Sequence, residues 1–147
     1  MTVQLKFKRI HKDAVLPVYQ TAHSAGMDVH AAIDTAITLA PLERTLVPCG
    51  FAMAIPEGYE VQVRARSGLA LKHGIGLVNG VGTIDADYRG ELGVILINYS
   101  DTPFTIQNGD RIAQIVLAKY ERATWQQVTD LDVTDRGTGA FGSTGKA

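Results

Sequence analysis

Cysteine is nearly absent: Cys49 stands alone among 147 residues. A single thiol cannot close an internal disulfide, which excludes a disulfide scaffold and a cysteine-rich metal site and fits a reducing compartment. Excess charge is missing too, since 14 Lys and Arg face 15 Asp and Glu for a net −1. No global field draws such a chain to nucleic acid or to an anionic membrane, so neither is expected as a partner. Any phosphate binding must come from locally placed arginines and backbone amides. Nor does any stretch approach the ~18 apolar residues of a membrane span. The opening MTVQLKFKRI alternates Val3, Leu5 and Phe7 with Gln4, Lys6 and Lys8, a strand pattern without the apolar core of a leader. A cytoplasmic home is the expectation. Internal repeats are lacking, and so is any nucleophilic Ser-His or Cys-His constellation.

What remains is an ordinary globular composition, 46% hydrophobic and 20% charged, in a chain long enough for one domain that buries roughly two-thirds of its unfolded surface. Period-two patterning dominates. Tyr59, Val61, Val63 and Ala65 fall on one face, Glu60, Gln62, Arg64 and Arg66 on the other. Similar runs occur at 27–33, 44–47, 51–55, 103–106 and 111–120, punctuated by Pro41, Pro48, Pro56-Glu57-Gly58, Pro103 and Asn108-Gly109. Only 67–72 could form a helical turn or two. The pattern predicts an all-β, jelly-roll-like barrel or sandwich of short antiparallel strands with at most one short helix. Val94 to Ile97 is apolar at every position, which predicts a strand buried on both sides, either central or at a subunit interface. Residues 1–135 are expected to form the domain. Residues 136–147, glycine-rich and poor in core-forming side chains, read as a flexible arm.

Chemistry concentrates in 82–90, Gly-Thr-Ile-Asp-Ala-Asp-Tyr-Arg-Gly. A solvated turn has no need of Ile84 or Tyr88 among its polar residues. The stretch therefore reads as a tight hairpin presenting the Asp85 carboxylate and an aromatic ring at a pocket mouth; an ordinary acidic turn is the competing reading. Arg66-Ser67-Gly68 ends a strand and opens the helical turn, as an anion site or with Ser67 as a simple N-cap. Gln114, between Ala113 and Ile115, needs a buried partner or a ligand. Asp28 follows a turn at Ala25-Gly26 and could serve a metal. His23 and His73 lack metal-ligand spacing.

The tail imitates two nucleotide motifs without completing either. Gly137-x-Gly139-x-x-Gly142 has the dinucleotide spacing, but no helix follows. Ala140 to Lys146 nearly spells a P-loop, yet Ala140 replaces its first glycine and Ala147 its hydroxyl residue. Arg136, Ser143 and Thr144 still suit phosphate oxygens, and Phe141 offers a face on which a base can stack. Carboxylate, phosphate-suited loops and stacking ring together point to a nucleoside polyphosphate attacked by water.

Along nearly its whole length the chain resembles the trimeric dUTP diphosphatase (dUTPase) family. The family's motifs stand in order: Ala25-Gly26-Met27-Asp28, Arg66-Ser67-Gly68-Leu69-Ala70, Gly82 to Gly90, Gly109-Asp110-Arg111-Ile112-Ala113-Gln114, and Arg136 to Gly145. Met27 replaces a more usual aromatic or Leu. Ala140 replaces a common glycine, where it would restrict a positive φ and slow closure of the arm. The resemblance implies a jelly-roll homotrimer with sites at subunit interfaces, converting dUTP and water to dUMP and pyrophosphate with Mg²⁺. It assigns water activation to Asp85 and exclusion of a 2′-hydroxyl to Tyr88. Asn79 and the backbone of 79–84, including Gly82, Thr83 and Ile84, would read uracil. Arg66, Ser67, Gly68 and Gln114 would hold phosphates. Arg136, Gly142, Ser143 and Thr144 would close over them, with Phe141 capping the base, and Asp28 would meet the metal through water. A dCTP deaminase of the same fold would need a general-base glutamate, and none lies within the motifs. A nucleotide-sensing trimer without catalysis is the other reading, against which the intact Asp85 argues.

Overall fold

The computed structural model of the chain describes residues 2–142. Ten strands, β1 (Lys6–Arg9), β2 (Gly26–His30), β3 (Ile37–Leu39), β4 (Arg44–Ala54), β5 (Tyr59–Arg64), β6 (Ile75–Leu77), β7 (Gly82–Ile84), β8 (Glu91–Asn98), β9 (Phe104–Ile106) and β10 (Arg111–Lys119), are accompanied by one helix, α1 (Ser67–His73), none of whose residues is buried. They form two four-stranded antiparallel sheets, ordered β1-β4-β8-β6 and β2-β10-β5-β7, with a small β3-β9 pair. The expected all-β jelly-roll is present as a sandwich of open sheets, not as a closed barrel. Between the sheets the alternating apolar residues interdigitate: Val47, Phe51, Val94 and Leu96 from one side, Val29, Val61 and Ile115 from the other, are all nearly inaccessible.

The two runs read at 44–47 and 51–55 are one strand. β4 pairs first with β8 and then with β1, and its register slips between Pro48 and Ala52. Gly50 occupies that slip at φ 75°, where a Cβ would lie 2.7 Å from that of Ala32 and 2.8 Å from that of His11. Glycine alone fits.

Two expectations need correction. Residues 82–90 are not a hairpin: β7 pairs with β5 in one sheet, β8 with β4 and β6 in the other, so the connection changes sheets. β8 is central, as expected, but within one chain it is buried on one side only. Leu92, Val94 and Leu96 face the core while Ile95 and Ile97 are half-covered beside exposed Leu46.

Ser67 is not the N-cap of α1. That position belongs to Arg66, and no side chain caps the helix. The Ser67 hydroxyl is thus not consumed by capping. Gly74 ends the helix in the left-handed conformation at φ 64°, its N–H returned to the carbonyls of Ala70 and Leu69.

Candidate active site

β10 lies between β2 and β5, which sets Gln114 across from Asp28 on one side and Arg64 on the other. On that surface Asp28, only 6% exposed, gathers three donors from two other motifs. Arg66 Nε reaches Oδ1 at 3.2 Å, Gln114 Nε2 reaches the same oxygen at 3.3 Å, and Arg111 Nη1 reaches Oδ2 at 3.3 Å. Arg66 also donates to the Arg111 carbonyl at 3.2 Å. The buried partner that Gln114 required is therefore Asp28. His30, two residues along β2, has its pKa lowered, chiefly by burial, then by Arg111 and Arg66, against an opposing pull from Asp28; it stands neutral beside the cations.

The Asp85 loop is stitched internally. The Tyr88 N–H donates to the Asp85 carbonyl at 3.1 Å, and Arg89 Nη1 donates to the carbonyls of Ala86 and Tyr88 at 2.6 and 2.9 Å. The Tyr88 hydroxyl donates to the Glu91 carbonyl at 3.0 Å, laying its ring over Gly90, where a Cβ would collide with it. Glu91 in turn accepts the Gly50 N–H at 3.0 Å, anchoring the loop to the β4 irregularity. Among the described residues the Asp85 carboxylate takes no hydrogen bond. It stands exposed between two cavities, one of about 210 Å³ shared with Thr83, Ile84 and Tyr88, and a wider one of about 650 Å³ toward Glu57 and Arg122. Asn79 lies against β7, its Nδ2 3.4 Å from where a Gly82 Cβ would stand.

The cations and the carboxylate are not brought together within one chain. Arg66 and Arg111 line a third cavity, of about 270 Å³, which shares no residue with the two that Asp85 lines.

A family model for dUTPase matches residues 12–145. The chain belongs to the dUTPase family. It is 56% identical, over 98% of both sequences, to the deoxyuridine 5′-triphosphate nucleotidohydrolase of Syntrophotalea carbinolica. Among solved structures it resembles the dUTPase of Staphylococcus bacteriophage 80alpha with bound dUPNHPP, with TM-score 0.89, 28% identity and coverage of 99% of this chain and 100% of that one. The phage phi11 dUTPase of S. aureus, in a variant described with a structural Mg(II) ion, shares the fold at TM-score 0.80 and 24% identity, over 88% of this chain and 99% of that one.

Beside the residues that dUTPase resemblance had singled out, the structure adds Arg111 and Arg89. Both lie inside quoted motifs, but nothing in their spacing reveals what they touch. Of the arm, Arg136 folds back onto the Gly139 carbonyl at 2.9 Å and Phe141 is fully exposed. Positive φ falls on Gly137, Phe141 and Gly142, and Ala140 takes none, so the backbone restriction expected there does not arise in this conformation. Ser143 and Thr144 lie outside the described residues. No helix is long and apolar enough to cross a membrane among the described residues.

No group of three or more His, Cys, Asp or Glu among the described residues could hold a metal unaided. Asp28 already shares its oxygens among three donors. This set fits Mg²⁺ carried on a triphosphate and met through water, the usual habit of that ion, and does not fit a protein cage.

Proposed function

We propose that this chain hydrolyses dUTP to dUMP and pyrophosphate with Asp85 as the group that orients and deprotonates the attacking water. The hydrolysis follows from family membership along almost the full chain; the residue roles are our reading. The observation that carries them is the Asp85 carboxylate, exposed and, among the described residues, unpartnered on a loop fixed by four hydrogen bonds. A general base needs an open lone pair and a rigid mount, and this loop supplies both. Glu91 shares the smaller cavity and accepts the Gly50 N–H, which ties its carboxylate to the β4 irregularity.

Tyr88, pinned at its hydroxyl, packs its ring under the deoxyribose and leaves no space for a 2′-hydroxyl. Asn79 with the backbone of Gly82, Thr83 and Ile84 reads the uracil edge. Arg66, Ser67, Gly68 and Gln114 bind phosphate oxygens. Arg136, Gly142, Ser143 and Thr144 close over the chain, and Phe141 stacks on the base. Phosphoryl transfer asks for positioning and charge neutralisation above all, which suits several donors around one carboxylate. Mg²⁺, when bound, screens the phosphates and polarises the α-phosphorus, with Asp28 meeting it through water.

Because the two half-sites line separate cavities, we place the complete site between copies of the chain in a homotrimer. Residues 1–135 form its body and 136–147 the closing arm. Such an enzyme limits uracil in DNA and supplies dUMP for thymidylate. Pyrophosphate release measured with dUTP, dTTP, dCTP and UTP tests the reading: only dUTP should turn over efficiently. Comparable rates on dTTP, or ammonia released from dCTP, would overturn it.

A further inference from the structure

We infer that Glu91 is a positioning residue for sugar selection: its carboxylate, clamped on the β4 irregularity, fixes the backbone carbonyl that steadies the Tyr88 ring. The inference rests on the reading above in which that ring excludes a 2′-hydroxyl, and it adds a side chain that works without touching the sugar.

The ladder shows why a clamp is needed. Between Pro48 and Ala52 β4 advances four residues, while β8 covers the same span in two, from Gly93 to Glu91. The surplus backbone of β4 loses its ladder partners, and its polar groups must be met elsewhere. The Gly50 carbonyl accepts the N–H groups of Ile10 and His11 at 2.8 and 2.9 Å. The Gly50 N–H is left to a side chain, Glu91 Oε1 at 3.0 Å. Glu91 is the first residue of β8; it pairs with Ala52 beyond the slip, and β6 reaches only as far as Leu96. The contact with Gly50 therefore secures a strand end that the sheet holds weakly.

The same residue meets Tyr88 through its main chain. The Tyr88 hydroxyl donates to the Glu91 carbonyl at 3.0 Å, and the ring crosses Gly90 to reach it. Tyr88 is 47% exposed, so packing restrains the ring little and the hydroxyl bond sets its direction. An acid whose whole task was to satisfy an orphan amide could stand at any position near Gly50. Here the side chain that grips the irregularity belongs to the residue whose carbonyl grips the ring, and both residues line the cavity of about 210 Å³ beside Asp85. A ring that selects by occupying space needs such support, since a site loosened by about 1 Å no longer discriminates.

The test compares kcat/KM for dUTP and UTP on the full-length chain with saturating Mg²⁺. Glu91→Ala should narrow the dUTP to UTP ratio about threefold to tenfold, the worth of one hydrogen bond, while α,β-imido-dUTP still binds within a few-fold of wild type. Glu91→Gln keeps an acceptor oxygen at the same reach and should retain most of the ratio. Tyr88→Phe removes the hydroxyl and should act like Glu91→Ala, and the double variant should go no further than the stronger single one. A Glu91→Ala protein that slows both nucleotides equally, with the ratio of wild type, makes Glu91 a stabilising residue only and overturns the inference. Should Glu91→Ala fail to fold, Tyr88→Phe decides, because an unchanged ratio there shows that the Glu91 carbonyl does not hold the ring. Tyr88→Ala separates the two readings. If it collapses the ratio while Glu91→Ala and Tyr88→Phe leave it intact, only the present inference falls; if it too leaves the ratio intact, the sugar-guarding role of Tyr88 falls and this inference with it.

Discussion

The side chain we propose for water activation is an aspartate whose loop is held by its neighbours' contacts and whose carboxylate, among the described residues, takes no hydrogen bond. Asp85→Asn keeps size and removes basicity. Turnover should fall about 10²–10⁴-fold, while a non-hydrolysable dUTP analogue binds within a few-fold of wild type. Unchanged turnover in a single-turnover assay would remove Asp85 from the mechanism. Discrimination at the sugar should depend on a residue with no side chain at all. A Cβ at Gly90 would strike the Tyr88 ring, which is pinned at its hydroxyl. Gly90→Ala should therefore push the ring aside and narrow the preference for dUTP over UTP, as Tyr88→Ala should by deleting it. The ratio of kcat/KM for the two nucleotides checks this. If both variants slow the two substrates equally, the ring does not guard the 2′-position.

At the scale of elements, β5 announced itself by alternation, whereas β8 read as continuously apolar although only every second residue of it is buried, and β10 breaks its period at Ile112 and Ala113, which are both buried. β3, β6 and β7 have three residues each, too few for a period to emerge. The stretch 82–90 misled for a definite reason. Turn residues between two apolar runs look alike whether the runs pair with each other or enter different sheets, and pairing is not written locally. The site divides along the same line. Of the residues we place in the site, Gln114 was legible as a polar side chain between Ala113 and Ile115, and the Asp85 loop because Ile84 and Tyr88 are out of place in a solvated turn. The contact of Arg111 with Asp28 was not, because it depends on a slip of β10 against β2 between Arg111 and Ala113 that leaves no mark in composition. The irregularity in β4 does leave a mark, in Gly50. Gly50→Ala would combine a positive φ with contacts near 2.7 Å and should cost about 1–3 kcal/mol, read as a lower denaturation midpoint at unchanged m-value. It should also loosen Glu91 and, through it, Tyr88. A midpoint like that of wild type would mean that His11 and Ala32 yield freely.

For the whole molecule, the segment after β10 is the telling part. Trp125, Leu131 and Val133 are almost fully exposed, and Tyr120 provides its last backbone hydrogen bond to the body, to Gly58. Side chains of this kind want a partner, and the outward face around Leu46, Ile95 and Ile97 is apolar as well. Fifteen residues at ~3.3 Å each can reach a neighbouring copy. Two inactive variants, Asp85→Asn and a truncation after Asp135, should therefore rescue each other when co-expressed. Mixed assemblies that stay as dead as their parents would place each site within one chain.

The separation of the Arg66 cavity from those of Asp85 also bears on dilution. If neither half can work alone, a chain newly released from the ribosome is silent until it meets others. Specific activity should then fall with protein concentration below the point where assemblies come apart, and substrate that spans both halves should hold them together. Preincubation at nanomolar protein, with and without imido-dUTP, would show in the lag before steady turnover whether catalysis in this chain is gated by encounter.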